Sequence, residues 1–283
     1  MILLADVGAS TAKIVYLGSI FSEGKSARIV NKGFNPTYHT EEEICERISQ
    51  WPIPNGTIHD IHSVIIYGAG CMRLDRAQKV SRSLKIHFSN ASIKVYSDLL
   101  APIHANENHK GYYAILGTGS VCCHFDGQSI HLLRPSLGFL INDTGSGFHI
   151  GKTFLTRLLS GDIVHKPLTL KIQEQWGSPL QQVDWVSIEN DPIFQSRVAS
   201  LTKIVATYQG DEGIRSILFE CFELWVSDLV KHGQDPIKKI HLSGSVGFHF
   251  KEVIHKVLSA KGIQIGQCIA SPMTVLEKRL NIA

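Results

Sequence analysis

The sequence has 283 residues, 43% of them hydrophobic and 19% charged, and a formal net charge of +3. Such a composition supplies enough core for two domains of ordinary size and holds no basic block, so neither nucleic acid nor an acidic membrane is an expected partner. No apolar run reaches the ~18 residues of a membrane span, and the chain opens directly on a strand, so a cytoplasmic protein without a leader is expected.

The first element is an apolar run, residues 2–5, that stops at Asp6. Gly8-Ala9-Ser10-Thr11 follows, and a second β-rich run begins at Lys13, the pattern of a β-hairpin. Asp6, at the junction of strand and turn, is in reach of a Mg2+ ion or its waters, because Mg2+ takes a few carboxylates plus phosphate oxygens. Gly8 lets backbone approach a phosphate, and the N–H groups of Ser10 and Thr11 can cradle one. A plain hairpin with an incidental Asp has the same pattern.

Residues 27–32 read as a third strand ending at Gly33-Phe34-Asn35-Pro36, and Thr40 with Glu43 caps a helix to about residue 50. A buried-type strand, 64–67, ends in Gly68-Ala69-Gly70, and a helix follows over about 75–84. Another strand, 93–96, carries Ser97-Asp98 at its carboxyl end before a helix at 99–105. Strands alternating with helices predict a mainly parallel sheet, whose carboxyl strand ends are where such sheets bind ligands. Asp6, Gly68 to Gly70 and Asp98 all fall there.

A polar stretch, 106–111, marks a candidate domain boundary, and the opening layout then recurs: strand 112–116, small-residue turn Gly117-Thr118-Gly119-Ser120, strand 121–125 and strand 128–133. The remainder reads as helices at 146–159, 167–176, 199–209 and 212–231, a strand at 239–242, a turn from Gly244 through Ser245 to Gly247, and a last helix to about 260. Cysteines 45, 71, 122, 123, 221 and 268 form no C-x-x-C pair, which argues against a disulfide framework and a zinc site. Three glycine-rich turns after apolar strands, with no P-loop and no G-x-G-x-x-G, point to phosphate binding of another kind.

These motifs carry a resemblance. Asp6-Val-Gly8-Ala-Ser10-Thr11-Ala-Lys13, Asn35, Gly68-Ala-Gly70, Ser97-Asp98, Leu116-Gly-Thr-Gly-Ser120 and the run from Pro135 to Gly147 are similar to those of N-acetylglucosamine kinases. These are grouped with the benzoyl-CoA-reductase activator ATPases in the actin, hexokinase and heat-shock-chaperone ATPase superfamily. The resemblance spans essentially the whole chain. It implies an α/β fold of two ribonuclease-H-like lobes around an ATP and sugar cleft. The expected lobes are residues 1–105 and 106–283, the last helix packing back on the first lobe.

It further implies ATP and Mg2+ as cofactors, a small-molecule sugar as substrate and, by fold analogy, a homodimer. Asp6, Gly8, Ser10, Thr11 and Lys13 become the first phosphate element, with Asp6 toward the metal. Gly117, Thr118, Gly119 and Ser120 become the second, and Gly244, Ser245 and Gly247 the adenosine element. Asp98 matches the catalytic base, which agrees with the chemistry of phosphoryl transfer to a hydroxyl. Asn35, Ser136, Gly138 and Asp143 match sugar-side residues, with Asp143 toward either a hydroxyl or the metal.

The sequence departs from the family at three places. Asn142-Asp143-Thr144-Gly145-Ser146 stands where relatives usually carry Gly-Asp-Glu-Gly-Ser, which removes a carboxylate. Leu137 replaces an aromatic residue, and the segment 272–280 lacks the glycines of the usual C-terminal helix. The alternatives are an activator ATPase holding an iron–sulfur cluster, for which Cys71 is the candidate ligand, and a catalytically weak sugar sensor.

Overall fold

The computed structural model describes residues 1–9, 11–18, 26–54, 58–135, 137–138, 141–185, 193–233 and 235–282. Two compact units divide the chain: Met1–Asn108 together with Pro272–Ala283, and His109–Ser271.

In the first unit, β1 (Ile2–Val7), β2 (Thr11–Leu17), β3 (Ala27–Lys32), β4 (Ser63–Gly68) and β5 (Ser92–Ser97) form one sheet in the order β3-β2-β1-β4-β5. The hairpins β1-β2 and β2-β3 are antiparallel, whereas β4 and β5 add in parallel to β1. β1 is central, and its Leu3, Leu4, Ala5 and Val7 have no solvent exposure, as expected of a strand covered on both faces. β3, at the edge, alternates between half-buried and exposed residues.

The helix Glu41–Ser49 starts at a full capping box: Thr40 Oγ1 accepts from the Glu43 N–H, and Glu43 returns a carboxylate to the Thr40 N–H. It packs against the helix Leu74–His87. The helix Pro272–Ile282 also belongs to this unit. Its Arg279 donates to the His104 and Ala105 carbonyls at the end of the helix Leu100–Ala105, and its buried Glu277 accepts from Arg28 and Ser26.

The second unit repeats the layout. β6 (Gly111–Leu116), β7 (Ser120–Phe125), β8 (Ile130–Leu132), β9 (Lys239–Ser243) and β10 (Gln264–Ile269) run in the order β10-β9-β6-β7-β8. Again the first three strands form antiparallel hairpins and the last two add in parallel. The repeat seen in the sequence is thus a repeat of topology. Against this sheet pack the helices Gly147–Ser160, Phe194–Thr207 and Glu212–His232, with Phe154, Leu201, Leu218, Phe222 and Trp225 in the core. Gly151 permits the closest approach, since a Cβ there would lie 2.2 Å from the Val198 carbonyl oxygen.

Some elements differ from the sequence reading. β10 was not expected: Gln264-Ile-Gly-Gln-Cys-Ile is short, polar and only half-buried, and its register shifts between Ile265 and Cys268, where the Gln267 N–H donates to His241 Nδ1. The helix expected after Gly247 is two helices, Ser245–His249 and Lys251–Ala260, joined at Phe250. The helix expected at 199–209 runs from Phe194 to Thr207. No helix among the described residues is long and apolar enough to cross a membrane.

Candidate functional site

In the first unit, backbone hydrogen bonds stagger the carboxyl ends of the parallel strands. The Ala69 N–H donates to the Val7 carbonyl at 2.8 Å, and the Asp98 N–H donates to the Gly68 carbonyl at 3.2 Å. Asp6, Gly68 to Gly70 and Asp98 therefore end up at one edge of one sheet. The first turn is closed by the Gly8 N–H donating to the Thr11 carbonyl at 2.9 Å. Gly33 is seated against that turn: a Cβ on it would lie 2.1 Å from the Gly8 oxygen and 2.6 Å from the Thr11 nitrogen.

Gly33 opens the loop that carries Asn35. Two cations fix this loop, Arg47 donating to the Gly33 carbonyl (2.5 Å) and Lys79 to those of Pro36 (3.0 Å) and His39 (3.1 Å). Asn35 Oδ1 accepts the Thr37 N–H at 2.9 Å and lies 2.3 Å from where a Gly70 Cβ would stand. The Asn35 loop and the Gly68–Gly70 turn are thus in direct contact.

Asp98 is partly buried. Ser97 Oγ and the Leu99 N–H both donate to its Oδ1, at 3.1 and 3.0 Å. Burial nevertheless dominates and pushes its pKa up to about 6, the Asp6 charge adding to the rise. Asp6 itself is raised by burial against the pull of Lys13, its partner across the β1-β2 pair. Cys71 is a core thiol, 4% exposed and pushed up to about 12, first by burial and then by Asp98, which is the opposite of what a thiolate ligand to a cluster requires.

In the second unit, the turn Gly117 to Ser120 is docked onto the segment that precedes the helix Gly147–Ser160. The Gly147 and Phe148 N–H groups donate to the Gly117 and Thr118 carbonyls at 2.7 and 3.1 Å, and Ser120 Oγ donates to the Thr144 carbonyl at 2.7 Å. Asp143, 9% exposed, lies against this turn, its Oδ2 2.6 Å from where a Gly119 Cβ would stand. Burial raises its pKa, while the Ser120 N–H and the Arg134 guanidinium act to lower it.

The third turn meets the second. Gly244, at φ +98, donates its N–H to the Ile269 carbonyl and leaves no room for a Cβ, which would stand 2.4 Å from the Leu116 oxygen. A cavity of about 190 Å3 opens between these turns and the helix Phe194–Thr207, lined among others by Gly117, Thr118, Ser200, Lys203, Ser245 and His249. Gly247 is buried beneath it against Leu116 and Leu242.

Ser10 and Ser136 lie outside the described residues. Thr11 and Lys13 are exposed on β2, and Gly138, at φ +84, heads a turn in which its carbonyl accepts from Ile141 and Asn142. Sequence reading missed Ser200 and Lys203. The available signal was a stripe, Ser196, Ala199, Ser200 and Lys203, at i, i+3, i+4 and i+7 on a helix whose other face is apolar. It also missed Asp228, whose Oδ2 accepts from Thr144 Oγ1 at 2.9 Å, so a carboxylate stands beside position 144 after all.

No protein-family model matches the chain, and no curated protein matches it. Among solved structures, it is similar to a candidate N-acetylglucosamine kinase from Porphyromonas gingivalis, with 26% identity, a TM-score of 0.79 and coverage of 100% of this chain and 99% of that one. A candidate N-acetylglucosamine kinase from Chromobacterium violaceum has 14% identity and a TM-score of 0.62, covering 100% and 98%. A ROK family glucokinase from Streptomyces griseus, solved with glucose and AMPPNP, has 13% identity and a TM-score of 0.56, covering 98% of each chain. The last two likenesses concern the fold. The chain has the actin-like ATPase fold, and its resemblance to the candidate N-acetylglucosamine kinase from Porphyromonas gingivalis runs over its whole length.

Proposed function

We propose that the protein is an ATP-dependent sugar kinase acting on the 6-hydroxyl of N-acetylglucosamine or a closely related amino sugar. The observation that carries the reading is Asp98: a carboxylate raised to about 6 by burial, at the same sheet edge as Asp6 and the turns holding Asn35 and Gly70. At neutral pH it is ionised yet basic enough to accept a proton from a hydroxyl. In the proposed reaction the sugar O6 loses its proton to Asp98 Oδ2 and forms a bond to the γ-phosphorus, while the bond from that phosphorus to the leaving ADP oxygen breaks. Asp98 Oδ1, held by Ser97 and Leu99, fixes the direction in which the other oxygen points.

The cavity with Lys203, Ser245 and His249 is the proposed nucleotide pocket, and Gly117 to Ser120 and Gly8 to Thr11 the proposed phosphate turns. The residues present fit Mg2+. Asp6 is a carboxylate at the junction of strand and turn, raised by burial, and it suffices for an ion completed by phosphates and water. Mg2+ bound with ATP would neutralise polyphosphate charge, with Asp6 the proposed carboxylate toward its waters.

The direct test is ADP release from Mg-ATP against N-acetylglucosamine, glucosamine, glucose, N-acetylmannosamine and no sugar. Release that depends on an amino sugar is expected; equal release without any sugar would contradict the reading.

Asn35 supplies a sharper expectation. Its Oδ1 is already used by Thr37, so its Nδ2 donor is what it can offer a sugar. Asn35→Asp retains the acceptor that shapes the loop and replaces the donor by a second, charged acceptor. The sugar KM is expected to rise by about tenfold to a hundredfold, the value of one lost hydrogen bond plus an unpaired group. The ATP KM and the melting temperature should stay near wild type, and a matching rise in ATP KM would place Asn35 elsewhere.

A further inference from the structure

Arg134, Thr144 and Asp228 form a closed set of bonds in the second unit. Arg134 Nη1 donates to Asp228 Oδ2 at 2.8 Å, and Nη2 donates to Thr144 Oγ1 at 3.1 Å and to the Asn142 carbonyl. Thr144 Oγ1 donates in turn to the same Asp228 oxygen at 2.9 Å. Both partners of the ion pair are largely covered, with side-chain exposures of 23% and 31%. A planar guanidinium with donors in a fixed fork is suited to holding several acceptors at set angles.

The bonds go to the two neighbours of Asp143, pinning the chain at 142 and at 144. From the other side, Ser120 Oγ holds the Thr144 carbonyl. Beneath, the helix Glu212–His232 presses Trp225 against Gly145, whose Cβ would stand 2.8 Å from that of Trp225, and three residues on it delivers Asp228. The Asp143 carboxylate, between the two pinned residues, faces the second phosphate turn.

We propose that Arg134, with Thr144 and Asp228, is a positioning network that holds the Asp143 carboxylate at the second turn in the arrangement that receives a magnesium-bound nucleotide polyphosphate. The proposal rests on the kinase reading for its ligand. Arg134 acts through Asp143 and does not itself touch the nucleotide.

The experiment is a titration with a fluorescent ADP analogue, with and without Mg2+, on the full chain and on Arg134→Met, Thr144→Val, Asp143→Asn and Arg134→Met/Asp143→Asn. Melting temperatures and sugar-dependent ADP release are measured on the same preparations. Arg134→Met is expected to weaken Mg-dependent binding about tenfold, the usual scale for a residue that orients a metal-side carboxylate, with Mg-free binding changed little. The double variant should bind no more weakly than Asp143→Asn alone, because the network acts through that carboxylate. Thr144→Val, which has the same shape without the hydroxyl, should lose a smaller part of the same effect and keeps the test open if Arg134→Met folds poorly. Equal losses with and without Mg2+, additive losses in the double variant, or no Mg-dependent binding by wild type would overturn the proposal. Mg-dependent binding with the expected pattern but no sugar-dependent ADP release would instead overturn the kinase reading and leave the positioning network standing.

Discussion

Replacing Asp98 with Asn is expected to remove turnover and raise the melting temperature together. As the proposed proton acceptor, Asp98 should account for about 10²–10⁴-fold in rate, and kcat in the sugar-dependent assay should fall by that factor with ATP affinity retained. The stability effect has the opposite sign. The folded-state pKa of about 6 lies above the ordinary 3.8, so the native chain binds this proton more tightly than the unfolded chain. Stability from this group is present at low pH and falls as pH rises between about 4 and 6; above that, the ionised carboxylate is a standing cost of about 3 kcal/mol. Asn keeps an Oδ1 for Ser97 and Leu99 but carries no charge, so the gain should appear at pH 8 and vanish near pH 4. In wild type, kcat/KM should fall about tenfold per pH unit below about 6. Thermal melts and rate profiles across this range check both limbs, and a variant that loses activity but gains no stability would argue against a desolvated base.

Gly33→Ala is the second large expected effect. The new methyl would meet backbone atoms of Gly8 and Thr11 at 2.1 to 2.7 Å, and backbone yields far less readily than a flexible side chain. Overpacking of this kind costs about 1–3 kcal/mol, here at the upper end or above it. Because the atoms displaced are those of the proposed first phosphate turn, Mg-ATP binding should weaken along with the loss in melting temperature. Normal ATP affinity in a destabilised variant would separate Gly33 from the nucleotide. Arg47 donates to the Gly33 carbonyl, so removing its guanidinium should produce a smaller shift in the same direction.

The parts of the fold legible in the sequence were those set by short-range chemistry. Apolar runs stopping at small-residue turns gave β1, β2, β6 and β7, and Thr40 with Glu43 announced a helix start that the structure bears out bond by bond. β10 escaped because an edge strand with a glycine and a register shift has neither an apolar run nor a clean alternation. Within the candidate site, Asp6 and Asp98 stood out because each falls at the carboxyl end of a strand, whereas Asn35 was singled out only by the resemblance, since Asn35-Pro36 otherwise reads as a plain turn. Lys203 and Asp228 were not, because each sits inside a helix and gains its place only when that helix packs on its neighbours. The missing Glu at position 144 reads as a loss in one dimension. In three, Thr144 bonds to a carboxylate that arrives from 84 residues away.

The central claim is that phosphate passes from ATP to a sugar hydroxyl, and phosphorus NMR of a reaction containing the protein, Mg-ATP and N-acetylglucosamine tests it most directly. The account predicts ADP and, in equal amount, a phosphate ester coupled to the two protons on carbon 6 of the sugar, both absent with Asp98→Asn. ADP accompanied by inorganic phosphate alone, with the sugar unchanged, would contradict it.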